Sequence, residues 1–538
     1  MKAFARFLTI LSWTAFCVAC GGGGGDFGGN GGNGGNGGDG GSSWVPGVFM
    51  DANTFFAQCL APRSGTIPGT NPPLPYPDVQ GTTLDENNFL RSYSDDTYLW
   101  YDEITDQDPG LFNDPINYFD QLKTFATTPS GADKDRFHFT FDSEAWFQLS
   151  QSGVSAGYGA QFVLLSATPP REVVVAYTEP NSPATDPAVN LARGAKILAI
   201  DGVDIDDNTQ AGIDILNAGL FPSGPGEMHT FTILDLGAQN TRSVTMISAN
   251  VTSTPVQNVN VIDTQTGRVG YLVFNDHIAT AEEALVDAVN LLNVGPGIDD
   301  LVLDIRYNGG GFLAIASQLA YMIAGDIPTA GQTFELLQFN DKHPVTNPVT
   351  GQPLAPTPFF DVTLGFGSLP QNQPLPTLNL LRVFVITGPG TCSASEAIMN
   401  GLRGVDVEVI QIGSTTCGKP YGFFPTDNCG TTYFTIQFRG VNQKNFGDYT
   451  DGFSPDNTQA NVGTVVPGCS VADDFTAALG DPAEGRFAAA LAFLDGQPCP
   501  APSGFAQPGL SKPGAPLSAT DGIVPKSPWH TNRIMERL

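Results

Sequence analysis

Three short segments of this sequence place glycines, a hydroxyl and an amine where a turn would hold them still. The first is Asp304-Ile305-Arg306-Tyr307-Asn308-Gly309-Gly310-Gly311, where an apolar run ends in three glycines and a helical pattern follows. Glycines allow close backbone approach and leave N–H groups exposed at a helix start, which is how an oxyanion hole or a phosphate cradle is made. No Gly-Lys-Ser/Thr follows, so a P-loop is excluded; a plain strand-to-helix turn is the bland alternative. The second is Gly388-Pro389-Gly390-Thr391-Cys392-Ser393-Ala394-Ser395-Glu396, again after an apolar run and at the start of a helical pattern. A hydroxyl there sits in the positive field of a helix N-terminus, although most serines at that position only cap the helix. The third is Gly413-Ser414-Thr415-Thr416-Cys417-Gly418-Lys419-Pro420. A lysine between glycine and proline is held in a fixed turn, whereas most lysines are solvated surface groups.

The elements around these segments alternate. Strands are expected at Arg268 to Phe274, Leu301 to Ile305, Arg382 to Thr387 and Val407 to Ile412, with helices at Ala281 to Leu292, Phe312 to Ile323 and Ala394 to Leu402. Strand–helix alternation of this kind predicts a mostly parallel sheet in an α/β core. All three segments follow buried strands of that core. A Pro/Gly-rich excursion separates Gly325 from Leu380. Upstream, residues 84–126 read as helical, with Asp114-Pro115 opening a second helix that runs to Thr124. From 153 to 250 the pattern changes to short strands. Ser182-Pro183-Ala184, then Arg193 to Gly202 with its Asp201-Gly202 turn, resemble a bacterial PDZ domain, with Ala195 where aspartate is usual. That resemblance implies a peptide-binding loop at Gly157, Tyr158 and Gly159, where backbone N–H groups capture a terminal carboxylate and the peptide adds as a strand.

The N-terminus carries Lys2 and Arg6, an apolar stretch from Phe7 to Ala19, and Cys17-Val18-Ala19-Cys20. The stretch is short for a membrane span and resembles a secretory signal ending in a bacterial lipobox, with Cys17 where leucine is usual. This implies lipidation at Cys20, a cell-envelope location facing the periplasm or exterior, and contact with membrane through the anchor alone. Gly21 to Gly41 is mostly glycine and reads as a flexible tether. The expected order is therefore signal peptide 1–19, lipidated cysteine and tether 20–46, helical cap 50–148, PDZ-like domain 150–252, catalytic core 255–498 and a Pro-rich tail 499–538. Of 538 residues, 24 are basic and 54 acidic, giving a net charge of −30. That sign repels phosphate backbones and argues against nucleic-acid partners. The cysteines and five histidines show no zinc-ligand spacing, so no metal and no cofactor are expected.

Taken together and in order, the three segments resemble the S41 peptidase family, the carboxyl-terminal processing and tricorn-related proteases. The family marks are a D-x-R-x-N-x-G-G strand end, an S-A-S-E helix start and a downstream G-K, and the resemblance spans roughly residues 84 to 470. It implies a crotonase/ClpP-like ααβ core with a preceding or inserted PDZ-like β-domain and a small N-terminal helical cap. It implies Ser393 as nucleophile, Lys419 as general base, and an oxyanion hole from the Ala394 amide with Gly310 or Gly309. Ser395 and Glu396 match supporting positions. The sequence departs from the family pattern at Cys392, where alanine is common, and at Phe423, where many members carry a glutamine that orients the lysine. The Ser393 to Lys419 spacing is one residue longer.

The expected activity is hydrolysis of peptide bonds in exported proteins. For Lys419 to take a proton it must be neutral, which calls for burial among apolar groups such as Phe423, Phe424 and Tyr421. A non-catalytic peptide-binding lipoprotein of the same fold is one alternative, and an acyl-CoA enzyme on the same core is another. Six cysteines remain after the signal region, and an oxidising compartment favours disulfides. A Cys417–Cys429 bond is expected, because the intervening residues are few and rich in turn-formers, and it would fix the turn that aims Lys419. The competing readings are free thiols or pairing with Cys392, Cys469 or Cys499.

Overall fold

The computed structural model describes residues 44–70, 72–166, 169–458 and 463–502, and the backbone of 533–534. The expected signal peptide, Cys20, most of the expected tether and most of the expected tail lie outside the described residues. Among the described residues no helix is long and apolar enough to cross a membrane.

The N-terminal cap is built on helix α1 (Thr83–Thr97), opened by a reciprocal Thr82–Asp85 capping box. Its buried Phe89, Leu90 and Tyr93 pack on helix α2 (Pro115–Phe119). Helix α2 begins at the expected Asp114-Pro115 but stops five residues short of Thr124. Thr124 is drawn instead into tertiary bonds: its N–H donates to the Tyr98 hydroxyl at 3.0 Å and its own hydroxyl to Glu103. Strand β1 (Phe139–Asp142) then leaves the cap, and helix α3 (Ser143–Ser152) leads into the next unit.

That unit is an antiparallel sheet of strands β2 (Ala160–Ser166), β3 (Glu172–Thr178), β4 (Lys196–Ile200), β5 (Met228–Leu234) and β6 (Arg242–Ile247). Their spatial order is β6-β5-β4-β3-β2, so β2 is a terminal strand. Helix α4 (Gln210–Leu220) lies between β4 and β5 in sequence and buries Ile213, Leu216 and Leu220 in the same core as Phe162, Val175 and Phe231. Asp201 and Gly202 both take positive φ (50° and 81°), the primed turn their identities predict.

The core unit is a six-stranded sheet. Strand β7 (Val256–Asp263) pairs antiparallel with β8 (Arg268–Phe274); β9 (Asp300–Asp304), β10 (Arg382–Thr387) and β11 (Glu408–Gly413) continue parallel. A hairpin of β12 (Thr426–Asn428) and β13 (Thr431–Phe434) carries β1 on its edge, stitching cap to core. Strand β14 (Gly468–Ser470) closes the main sheet beside β11. Strand side chains alternate between two buried faces, as a parallel sheet requires. Leu272, Leu303 and Val385 face helices α5 (Ala281–Leu292), α6 (Leu313–Ala324) and α7 (Ala394–Gly404). Tyr271, Val302 and Phe384 face helix α8 (Gly485–Leu494). Helix α5 buries Ala281, Leu285, Ala288, Val289 and Leu292, the spacing of one helical stripe. This is the mixed α/β architecture expected, with the β-domain preceding the core.

Candidate active site

The three chemistry-bearing segments leave the same edge of the sheet, at the carboxyl ends of the adjacent parallel strands β9, β10 and β11. Open α/β sheets place their ligand sites there. Asn308 to Gly311 follow β9, Ser393 follows β10 and Lys419 follows β11, so loops remote in sequence converge because their strands are neighbours.

Ser393 is the residue before helix α7 and has φ 61°, ψ −114°. This is a left-handed conformation that a non-glycine residue adopts at a cost of about 1–3 kcal/mol and keeps only where its surroundings enforce it. Such sharp strand-to-helix turns project a serine hydroxyl from the backbone. The enforcing contacts are visible. Thr391 donates through its hydroxyl to the Ile305 carbonyl (2.8 Å), and the Cys392 amide and Ser395 hydroxyl both donate to the Asn308 carbonyl (3.2 and 3.0 Å). Ser395 thus serves the backbone of the first segment.

Glu396 binds the second segment to the third. Its carboxylate is fully buried and accepts from the Ser393 amide (2.9 Å), the Gly418 and Lys419 amides (both 2.8 Å) and the Thr416 hydroxyl (2.5 Å). Burial pushes its pKa up, and these four donors work in the opposite direction without cancelling the rise. One carboxylate therefore holds the backbone of both Ser393 and Lys419.

Lys419 is fully buried. Its Nζ stands 4.4 Å from the Phe423 ring centre and 4.7 Å from that of Phe137. Phe423 was expected as a wall; Phe137, arriving from the segment before β1, was not. Its signal was an aromatic at every second position in Phe137-His138-Phe139-Thr140-Phe141, which marked a strand but not its neighbours. Of the other two expected walls, Tyr421 sets its ring edge-on to Trp100 and Phe424 its ring 6.2 Å from that of Phe438. The Arg136 guanidinium reaches the Cys417 carbonyl, adding a tie from cap to lysine turn.

The glycine turn departs from expectation in one respect. The Gly310 amide donates to Asn308 Oδ1 at 2.9 Å, the turn an asparagine makes with the backbone two residues on. It is committed there rather than offered to a ligand. His277, from the loop after β8, locks this arrangement. Its Nδ1 lies 3.0 Å from Asn308 Oδ1, its amide donates to the Gly310 carbonyl and its carbonyl accepts from Phe312. Of the expected amides, Gly309 and Ala394 remain; Ala394 is at the first helical position, where no intrahelical carbonyl reaches. The backbone of Arg533–Ile534 runs parallel to Gly311–Phe312 beside this turn.

A second correction concerns the disulfides. Cys417 bonds Cys392 and Cys429 bonds Cys59; Cys469 bonds Cys499. The expected Cys417–Cys429 pairing fails because residues 418–428 leave the site through Tyr421–Gly422 and β12. Cys429 is thereby carried into the far hairpin turn, against the N-terminal segment.

Farther below the turn, Arg306 is buried with three carboxylates, Asp304 and Glu484 at 2.7 Å and Asp473 at 2.7 Å. Asp473 also accepts from Tyr307 (2.5 Å) and from Arg193 (2.7 Å) of the β-domain. Burial works to raise the Asp473 pKa, but Arg486, Arg306 and Arg193 hold it well below the usual carboxylate range. At the β-domain loop, the Tyr158 and Gly159 carbonyls accept from Ala184 and Glu179, and Gly157 ends a short ladder with Ala249. A side chain at Gly159 would collide with that of Ser182, so this loop needs glycine for a close approach.

Comparison with known proteins agrees with this architecture. The family model described as Peptidase family S41 matches residues 268–427, and that of the Peptidase S41 N-terminal domain matches residues 85–139. Among solved structures, a Bacteroides fragilis protein assigned to the S41 proteases aligns with TM-score 0.54 at 22% identity, covering 78% of this chain and 98% of its own. The photosystem II D1 C-terminal processing protease aligns with TM-score 0.41 at 18% identity, over 70% of this chain and 93% of its own. Mature CPAF complexed with lactacystin aligns with TM-score 0.37 at 12% identity, over 68% and 91%. No curated protein matches the chain. The glycine turn, the serine elbow and the lysine turn all lie within the segment that the first family model matches: residues 268–427 carry a peptidase family S41 domain, of a serine-type peptidase family, and residues 85–139 an S41 N-terminal domain.

Proposed function

We propose that the chain is a serine endopeptidase of exported proteins that works through a Ser393/Lys419 dyad. The observation that carries this reading is the Glu396 clamp: one buried carboxylate ties the backbone of a left-handed serine elbow to the backbone of a buried lysine. Lys419, neutral, takes the Ser393 hydroxyl proton as Oγ attacks the peptide carbonyl carbon. The Ala394 amide, with Gly309, donates to the oxyanion, each donor supplying on the order of a few kcal/mol. The lysine returns the proton to the departing amine as the C–N bond breaks. Water, deprotonated by the same amine, then hydrolyses the acyl-enzyme.

The β-domain is read as PDZ-like, supported by its strand order, by helix α4 and by β2 as a terminal strand to which a peptide can add. Gly157, Tyr158 and Gly159 lie at the start of that strand and remain the proposed peptide-binding loop. The location is the cell envelope, with Cys20 as lipid anchor, and replacing Cys20 by serine releases the protein from membranes. Survival of the membrane-bound fraction in that variant would remove the anchor.

The test of the activity is hydrolysis of an unfolded protein by single-site variants. Ser393→Ala is inactive with an unchanged melting temperature to within a few degrees, while Ser395→Ala keeps measurable turnover. An active Ser393→Ala beside a dead Ser395→Ala would shift the nucleophile by two residues.

A further inference from the structure

Two of the three disulfides among the described residues lie away from the chemistry. Cys59–Cys429 fastens the N-terminal segment to the β12–β13 hairpin, and Cys469–Cys499 fastens the start of the tail to β14. The third, Cys392–Cys417, joins the residue immediately before Ser393 to the residue two before Lys419. We propose that this disulfide is a positioning link for the proposed Ser393/Lys419 pair, setting the placement of hydroxyl against amine rather than merely holding the fold. The inference rests on the dyad reading above.

The geometry supports a local role. The two cysteines close a 25-residue separation that contains helix α7 and strand β11, with their Cα atoms 5.2 Å apart. The bond therefore spans loops at the ends of the neighbouring strands β10 and β11. Both sulfurs belong to residues almost wholly shielded from solvent, at 0% and 5% exposure. The same two loops are otherwise joined by the Cys417 amide to the Thr391 carbonyl (3.0 Å) and by Glu396. Hydrogen bonds of this kind fluctuate, and those to a carboxylate weaken when it takes a proton. A covalent bond does neither.

The position of the link explains why it matters for rate. Ser393 holds a backbone conformation that must be imposed by its neighbours. Cys392 supplies the imposition from its own side chain, at the one residue that leads into the elbow. Cys417 is the corresponding anchor at the entrance to the Gly418-Lys419-Pro420 turn. A displacement of about 1 Å between reacting groups costs on the order of 100-fold in rate. Substrate held along the glycine turn and the β-domain would not sense that displacement, so the loss belongs to kcat.

The experiment compares the wild type with Cys392→Ala/Cys417→Ala and with Cys469→Ala/Cys499→Ala. The expected result is a kcat about 10-fold to 100-fold lower in the first variant, with KM within about twofold, and a wild-type kcat in the second. A parallel arm keeps the wild-type sequence. A dithiol reductant takes Cys392–Cys417 to two thiols, passing two electrons and two protons and closing to its own cyclic disulfide. Aliquots are assayed before alkylation and mapped afterwards. Activity should fall in step with labelling of Cys392 and Cys417 and return on reoxidation. Wild-type kcat in the first variant, full activity with both thiols labelled, or a kcat fall that matches the fraction unfolded would each overturn the proposal. The dyad is judged separately: an active Ser393→Ala sinks that reading, whereas a dead Ser393→Ala beside a fully active Cys392→Ala/Cys417→Ala sinks only this one.

Discussion

Glu396 concentrates the demands of the site at a single residue. It must stay ionised to accept from three amides and a hydroxyl, yet it is buried, and burial raises its pKa above the ordinary carboxylate value. As pH falls through that raised pKa, one oxygen gains a proton and loses acceptor capacity towards the Ser393 and Lys419 amides. The acid limb of kcat is therefore expected at a pH above the usual carboxylate range. Glu396→Gln places an amide NH2 among N–H donors, so kcat should fall by about 100-fold or more, with KM little changed. A variant that retains wild-type kcat would show that the clamp is incidental. Lys419→Arg should be inactive at every accessible pH, because a guanidinium does not shed its proton; steady-state turnover checks it.

Among the elements, the loop after β8 has the least obvious sequence and a clear structural task. His277 grips the glycine turn at three points, and burial lowers its pKa to about 4. An unfolded histidine titrates near 6.5, so the unfolded chain binds the proton first as pH falls. This group's contribution is fully present above pH 6.5 and is lost from there down to about pH 4. Between pH 7 and pH 5 that amounts to about 2 kcal/mol. His277→Gln should therefore show a shallower loss of stability over that interval in urea titrations than the wild type; an identical slope would contradict the assignment. His138 is similarly lowered to about 4 by burial and is common to both proteins, so the comparison isolates His277. Legibility also differed by element. Strands such as Arg268–Phe274 and Arg382–Thr387, and helix α5, declare themselves through apolar periodicity, and the three motifs mark the loops that follow strands. What periodicity does not carry is which distant loops meet. Phe137 and His277 act on residues remote in sequence, and Glu396 read only as a supporting residue because its partners are backbone amides. The disulfide misreading has the same origin: short separation made Cys417–Cys429 attractive, while strand adjacency decided for Cys392–Cys417.

Across the whole molecule, one buried charge cluster links the core, helix α8 and the β-domain. Arg306 pairs with Asp304, Glu484 and Asp473, and Arg193 reaches Asp473 and Tyr307 from the β-domain. Removing one partner strands buried charge of the other sign. Arg306→Met should destabilise by about 3–5 kcal/mol in urea unfolding, and a change under 1 kcal/mol would show that the carboxylates are relieved some other way. The central proposal is that Ser393 is the nucleophile and Lys419 its base. A fluorophosphonate probe, followed by peptide mapping, tests that claim most directly. A single adduct on Ser393 is expected, absent in Ser393→Ala and formed at least about 100-fold more slowly in Lys419→Ala. An adduct on Ser395, or labelling of Ser393 at an undiminished rate without the lysine, would contradict it.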